Sequence, residues 1–426
     1  MEYICGRTGQ TRRVVKPQAS IHSPTIRGAM KRTAISLCLL LLLATGLAGA
    51  QGKFSGYVFG DYFYNIAKDS AFSKLSRTVV PGSKAFNAFQ IRRVYLTYDN
   101  DISEKFTARF RLEGNAIASE LGSSGTASRL SGSSLSQLYI KDAYVKWKNI
   151  FSGSDLIFGI QPTTAYDISE GVWAYRSLEK TIMDLRGIIS SRDMGLALRG
   201  KFDDGGMFQY WLMVGNNSGN DDAVNRNNKR VSLNLQVKPA KNIIVDLNGD
   251  YIARPAINDP LSTTAPKATL GNDILTYSIF AAYNDPTLVT IGVEAFMQSI
   301  AHNEADPADA TGKTLKSQSQ LGISVFGYYW FSPEVGVIAR YDMFNPYTDS
   351  NYPYVAPGTV APGSTSYPAS LTRSYIIAGL SFRPDKNVQI MPNIQMESYQ
   401  APRNVTNAPS IDASVTARLT FYWVFL

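Results

Sequence analysis

From Phe106 to Glu113 the chain alternates without a break: Phe106, Ala108, Phe110 and Leu112 are apolar, and Thr107, Arg109, Arg111 and Glu113 are polar or charged. Successive side chains of an extended strand point to opposite faces, so this segment fits only between an apolar and a wet surface. Val231, Leu233, Leu235 and Val237 alternate in the same way with Ser232, Asn234, Gln236 and Lys238. Near the C-terminus Val415, Ala417, Leu419, Phe421, Trp423 and Phe425 alternate with Thr416, Arg418, Thr420, Tyr422 and Val424. Stretches of about 9 to 11 residues suffice for a tilted strand to cross an outer membrane. A soluble sandwich alternates too, so the period alone does not separate the two.

The connections separate them. Strands are predicted at 53–66, 86–100, 104–115, 136–148, 155–161, 193–202, 207–216, 229–238, 242–253, 272–283, 287–299, 318–331, 334–344, 373–383, 387–399 and 411–425, sixteen in all. Even-numbered strands are followed by tight turns such as Asp101-Ile102-Ser103, Asp203-Asp204-Gly205-Gly206 and Asn284-Asp285-Pro286. Odd-numbered strands are followed by long loops such as 67–85, 116–135, 162–192, 254–271, 300–317 and 345–372. That asymmetry belongs to transmembrane barrels. The expected fold class is all-β, a transmembrane antiparallel β-barrel of 16 strands with short periplasmic turns and long extracellular loops. Tyr98, Trp147, Tyr329, Phe331, Phe421, Trp423 and Phe425 gather at the short-turn ends, as a headgroup girdle requires, whereas Trp330 has the wrong parity to face lipid. Two places strain the pattern: strand 155–161 is short, and Pro392, with no N–H to donate, sits inside 387–399.

Residues 1–50 read differently. The apolar run Ala34 to Leu47 follows Lys31-Arg32 and precedes Ala48-Gly49-Ala50, the order of a secretory signal peptide cut after Ala50. It is too short for a spanning helix. The Arg-rich stretch 1–29 is expected to be an upstream extension, with Met30 the true start, 30–50 the signal and 51–426 the barrel. Both cysteines, Cys5 and Cys38, fall in this leader, so the exported part is expected to hold neither disulfide nor thiolate metal site. The leader also holds seven of the 42 Lys and Arg and one of the 34 Asp and Glu, which lowers the net charge from +8 to +2. Nucleic acid is therefore not an expected partner. Mean hydropathy of -0.12 does not argue against membrane strands, because their two faces cancel.

Outside the leader there is one histidine, His302, beside Asn303 and Glu304 in the expected loop 300–317, and no Ser or Asp motif is directed at it. Hydrolysis would need such a general base in a prepared setting, so no enzyme is expected. There is no His/Cys cluster, Asp221-Asp222 is too sparse for a calcium loop, and no phosphate-cradling glycine motif precedes a helix, so no cofactor is expected.

What remains is the lining of a lumen. Alternation assigns to it the basic residues Arg93, Arg109, Arg111, Lys146, Arg199, Lys201, Lys238, Arg340 and Arg418, and the acidic residues Glu113, Asp142, Asp246, Asp250, Glu294, Asp342 and Glu397. Arg93, Arg109 and Arg111 come from strands two and three; Asp246, Asp250 and Glu294 come from strands nine and eleven. A basic wall facing an acidic wall would sort solutes by charge and dipole. Local pairing of the same charges is the competing arrangement. A 16-stranded barrel is wide enough for water. Loop 162–192, carrying Glu170, Arg176, Glu179, Lys180, Asp184 and Arg186, is the candidate constriction, with an extracellular lid as the alternative.

Several segments resemble the phosphate-selective porin O and P family and its relatives among Gram-negative outer-membrane porins. They are Gln90-Ile91-Arg92-Arg93-Val94-Tyr95-Leu96 with Ser103-Glu104-Lys105-Phe106, Lys141-Asp142-Ala143-Tyr144-Val145, Phe158-Gly159-Ile160-Gln161-Pro162 and Ser191-Arg192-Asp193-Met194-Gly195. They cover strands two to six, about a third of the chain. The resemblance implies a trimeric 16-stranded porin whose third extracellular loop folds inward. It does not carry phosphate selectivity, since the inward arginines match only at Arg93, Arg109 and Arg111. The expected function is passive diffusion of small hydrophilic solutes and ions across the outer membrane of a Gram-negative-type bacterium. Outer-membrane lipid, lipopolysaccharide and the outer-membrane assembly machinery are the expected partners; the last strand ends in Tyr422-Trp423-Val424-Phe425-Leu426. One alternative is a ligand-specific uptake barrel for an oligosaccharide or hydrophobic compound, with Tyr57, Tyr62, Tyr64 and Tyr95 along its route. The other is a non-conducting structural surface barrel displaying loop 345–372.

Overall fold

A computed structural model of the chain describes residues 52–68, 83–115, 137–219, 229–306, 309, 311–348, 371–400 and 412–426. The leader with both cysteines, Asp221-Asp222 and most of 345–372 lie outside the described residues.

All sixteen strands form. They are β1 (Gly52–Ala67), β2 (Asn87–Asp101), β3 (Phe106–Asn115), β4 (Gln137–Phe151), β5 (Ser154–Pro162), β6 (Arg192–Lys201), β7 (Phe208–Gly215), β8 (Lys229–Ala240), β9 (Ile243–Ala253), β10 (Ile274–Asp285), β11 (Val289–Ala305), β12 (Leu315–Trp330), β13 (Val335–Asn345), β14 (Arg373–Asp385), β15 (Val388–Tyr399) and β16 (Ser414–Val424). Each pairs with its sequence neighbours, and the sheet closes between β1 and β16. At the seam Tyr57 lies opposite Tyr95 of β2 on one side and Val424 of β16 on the other.

The burial pattern is inverted relative to a soluble protein. Along β8, Arg230, Ser232, Asn234 and Gln236 are buried while Val231, Leu233 and Leu235 are exposed. Phe89, Phe110, Leu138, Phe158, Leu196 and Ile291 are likewise exposed on their strands. An outside this apolar is favourable only against hydrocarbon. No described helix is long and apolar enough to cross a membrane. The tight turns are set by short polar side chains, which fold back on their own backbone. Asp203 accepts the N–H groups of Met207 and Phe208 at 2.9 and 2.7 Å, and Asp385 accepts that of Asn387 at 2.8 Å.

Some boundaries differ from expectation. β11 and β12 run past the end of the alternating pattern, so both ends of the expected loop 300–317, residues 300–305 and 315–317, are strand. A bulge between Ile300 and Glu304 holds His302 at φ 47, with its Nδ1 2.7 Å from the Gly271 carbonyl. Hydrogen-bonding continues there without an apolar face, which is why periodicity did not reveal it. Loop 254–271 contains a short pairing of Ile257–Asn258 with Thr269–Leu270. Pro392 interrupts pairing with β14 between Gly379↔Asn393 and Phe382↔Ile390, yet the register resumes unshifted and pairing with β16 continues through it. Trp330 is buried, under the Arg383 guanidinium at 3.6 Å.

Candidate functional site

The chain leaves β5 at Pro162 and joins β6 at Arg192, two residues directly paired in the ladder. Between them the loop folds into the barrel. It contains α1 (Asp167–Trp173) and α2 (Ile182–Arg186), which end at left-handed Ala174 (φ 58) and Gly187 (φ 69). Val172, Trp173, Tyr175 and Leu178 pack in one apolar cluster with the inward residues Phe280, Phe326, Tyr328, Trp330, Ile338, Tyr375, Ile377 and Met391. Ala165, Tyr166, Ile182, Met183, Ile188 and Ile189 form a second cluster with Phe296 and Phe344. Glycines make room for the wall's rings: a Cβ on Gly322 would stand 2.1 Å from the Phe296 ring.

Polar contacts fix the loop at many points. Thr164 bonds Asn248 at 2.6 Å, Gln298 donates to the Ile188 carbonyl at 3.0 Å, and Arg186 pairs with Glu397 at 2.6 Å. Arg340 donates to the Lys180 carbonyl, and Arg92 donates to the carbonyls of Ser177 and Leu178. Within the loop, Asp184 accepts Lys180 at 3.2 Å and faces Arg176 at 3.7 Å, which also faces Glu170 at 3.7 Å. Burial pushes the Asp184 carboxyl up, but Lys180, Arg176 and Lys141 outweigh it and hold the group below its ordinary value. Glu179 is likewise raised by burial and carried below its ordinary value by Arg418, Arg92, the Lys180 N–H and Arg176.

These attachments concentrate on β8 to β15, with Arg92 a tie from β2. Exposure of the inward charges follows: the side chains of Arg109 and Arg111 are 32% and 18% exposed, those of Arg230 and Arg340 2% and 1%. On the arc from β1 to β5 the loop therefore leaves Arg109 and Arg111 partly in water, although Tyr95, Glu113, Lys141 and Asp142 of the same arc are buried. Half-buried Tyr57, Tyr139 and Tyr144 stand there among Arg93, Arg109 and Arg111.

Two residues on this arc escape strict alternation. β1 and β2 shift register between Phe59↔Arg93 and Gly60↔Ile91, so Arg92 is an extra residue. β3 and β4 shift between Arg111↔Asp142 and Leu112↔Ile140, so Lys141 is extra. Each bulge turns consecutive charged residues to the same side. Arg92 reaches Asp61 at 2.6 Å, and Lys141 reaches Glu113 at 3.0 Å and Ser191 at 3.2 Å. A strict period of two that turns Arg93 and Asp142 inward would point both toward lipid. The available signal was the adjacent charges Arg92-Arg93 and Lys141-Asp142 in mid-strand, where one of each pair would otherwise meet hydrocarbon.

The inward charges pair locally. Arg93 pairs with Glu113, Arg109 with Asp99 at 2.7 Å, Arg111 with Asp142 at 3.4 Å, and Arg192 also with Asp142. Arg199 pairs with Asp167 at 3.3 Å, Arg340 with Asp342 at 2.6 Å, and Arg418 with Asp61 at 3.6 Å. Lys146 faces Asp155 at 3.7 Å. Asp246, Asp250 and Glu294 are buried on the loop-covered side, against Asn234 at 2.8 Å, Arg230 at 3.1 Å and Ser169 at 3.5 Å. Among the aromatic residues considered for a solute route, Tyr57 and Tyr95 stack together at 4.6 Å. Tyr62 and Tyr64 instead take the opposite parity to buried Asp61, Phe63 and Asn65, and Tyr62 packs on exposed Phe89 at 4.8 Å. Among the described residues no three His, Cys, Asp or Glu groups converge as a metal site.

No protein-family model and no curated protein sequence matches the chain. Solved structures do match it. OprB of Pseudomonas putida is 11% identical, with a TM-score of 0.55 over 89% of this chain and 96% of that one. The outer membrane channel DcaP of Acinetobacter baumannii is 11% identical, with a TM-score of 0.54 over 89% and 98%. OmpT, an outer membrane protein of Vibrio cholerae, in its trimer form is 13% identical, with a TM-score of 0.51 over 88% and 99%. At such identities the likeness is one of fold, and the fold is that of the closed barrels of Gram-negative outer-membrane porins and channels.

Proposed function

We propose that the chain is an outer-membrane porin through which small hydrophilic solutes and ions diffuse passively. The supporting observation is the loop fastened against one side of the lumen, which leaves the arc of Arg93, Arg109 and Arg111 partly open to water. A loop held by two apolar clusters and an ion pair of 2.6 Å narrows a barrel without needing to move. Residues 30–50 act as a cleaved signal, the tight turns face the periplasm, and the exposed apolar band meets lipid and lipopolysaccharide. The barrel assembles as a homotrimer, as one of the similar structures does. Because the cations of the open arc have carboxylate partners, size governs passage more than charge does. Refolded protein in a planar bilayer is expected to give discrete conductance steps that scale with salt. A correctly folded barrel that never conducts would sink this reading.

A further inference from the structure

Ser177 and Leu178 lie midway along the inward loop, and there the loop meets both sides of the barrel's closing seam. The buried Leu178 carbonyl accepts from Arg92 Nη1 of β2 at 3.2 Å and from Gln395 Nε2 of β15 at 3.4 Å. The Ser177 carbonyl accepts from the other arm of the same guanidinium. The third nitrogen, Nε, lies 2.6 Å from Asp61 of β1, a buried carboxylate also met by Gln90 at 2.7 Å and by Arg418 of β16 at 3.6 Å. Phe59 underlies the guanidinium at 5.2 Å. Two nitrogens of Arg92 are thus committed to the loop and one to the seam.

The other attachments do a different job. The two apolar clusters and the Arg186–Glu397 pair fasten the loop against β8 to β15, and none of them uses Arg92. Lys141 reaches the loop at Ser191, beside its root at Arg192 rather than at its midpoint. How far the midpoint reaches toward β2 is therefore decided at Arg92. Only a planar fork can hold two carbonyls and a carboxylate at fixed angles; a lysine in its place is a point charge on a flexible stem. The bulge in β2 has a purpose in these terms, since it turns Arg92 inward beside Arg93. Selection in a water-filled pore depends on its diameter. We propose that Arg92 is a positioning residue that sets the width of the passage: it holds the loop's midpoint to β2, and Asp61 holds Arg92.

This inference rests on the porin reading but is tested separately from it. A single thiol is placed at the loop's midpoint by Ser177→Cys, with Cys5 and Cys38 changed to Ser, and its reaction with a maleimide is timed in the folded barrel in detergent. Arg92→Lys keeps a cation on Asp61 and so spares the seam, yet it is expected to speed labelling about tenfold through loss of the forked grip. Arg92→Met should speed it at least as much. In planar bilayers the same variants, without the thiol, are expected to conduct more and to admit larger neutral polyethylene glycols than wild type. Protease protection of the loop and the melting temperature of Arg92→Lys should stay as in wild type, because the wall-side attachments remain. Faster labelling with protection retained supports the assignment even if no current is ever seen. Channels whose polymer cut-off is the same in wild type and Arg92→Lys overturn it and leave the porin reading standing. Unchanged labelling in Arg92→Lys also overturns it, and so does loss of protease protection in that variant, which would make Arg92 one more general fastening of the loop.

Discussion

Arg186 of the inward loop and Glu397 of β15 form an ion pair of 2.6 Å in which neither side chain is more than 3% exposed. The same guanidinium lies over the Phe344 and Tyr375 rings at 5.6 and 6.0 Å, so the contact joins the loop's charge to its apolar seat. Removing one partner of a buried pair leaves an uncompensated charge, at a cost of roughly 3–5 kcal/mol. Arg186→Met is expected to loosen the loop by about that amount, seen as noisier open-channel current and a lower melting temperature in detergent. The double variant Arg186→Met with Glu397→Met should recover most of the loss. A fully additive double variant would count against a direct coupling.

Trp173 tests the apolar half of the same attachment. Its ring meets Phe326 edge-on at 5.0 Å, its Nε1 donates to the Glu179 carbonyl at 2.9 Å, and it is wholly buried. Trp→Ala at such a site costs about 3–5 kcal/mol. The strand ladder does not depend on Trp173, so Trp173→Ala is expected to leave the barrel's far-ultraviolet spectrum unchanged. It should also raise conductance and make the bonds between 163 and 191 susceptible to protease.

Acid should loosen the loop before it affects the strands. Against the pull of burial, neighbouring cations hold Glu179 and Asp184 below their ordinary values of 4.5 and 3.8. A carboxyl lowered in the docked state stabilises that state fully above its ordinary value, and the contribution is lost as pH falls through the lowered one. Loop protection from protease is therefore expected to be flat from neutral pH down to about 5 and to fall below about 4. Asp184→Asn should flatten the acid limb. A loop equally protected at pH 3 and pH 7 would contradict the electrostatic part of this account.

The sixteen strands were legible because a lipid face and a wet face force a period of two, and because Asp and Asn mark the tight turns. The inward orientation of Trp330 was legible from the same parity. Arg92 and Lys141 were not, since a single bulge reverses parity and depends on the partner strand rather than on the residue itself. The loop's side chains could be named from its length and mixed composition. Which side of the lumen it would cover could not, because Phe280, Phe296, Phe326 and Phe344 read in sequence as breaks in the polar face. Their meaning lies in Trp173, Tyr166 and Met183, more than a hundred residues away.

Ion selectivity separates the open arc from the covered one. Changing Arg93, Arg109 and Arg111 together to Ser frees Glu113, Asp99 and Asp142 of one cation each on the partly exposed side. The reversal potential in a salt gradient is expected to move toward cation selectivity. Changing Asp246 and Asp250 to Asn, on the loop-covered side, should move it much less. An unchanged reversal potential in the triple variant would remove this arc from the filter.

The last test concerns a residue with no side chain. On the Gly322 backbone a Cβ would lie 2.1 Å from the Phe296 ring, and that ring packs with Ala165, Tyr166, Ile182 and Met183 of the loop. Gly322→Val gives β12 a better strand former but pushes Phe296 into the loop's seat, and overpacking of this kind costs about 1–3 kcal/mol. The expected result is a barrel that folds normally, with a loop that detaches more readily in protease and conductance assays. Gly322→Val combined with Phe296→Ala frees the space and should restore the attachment in part. If Gly322→Val alone behaves as wild type, the ring is free to move aside, and the seat is looser than its packing indicates.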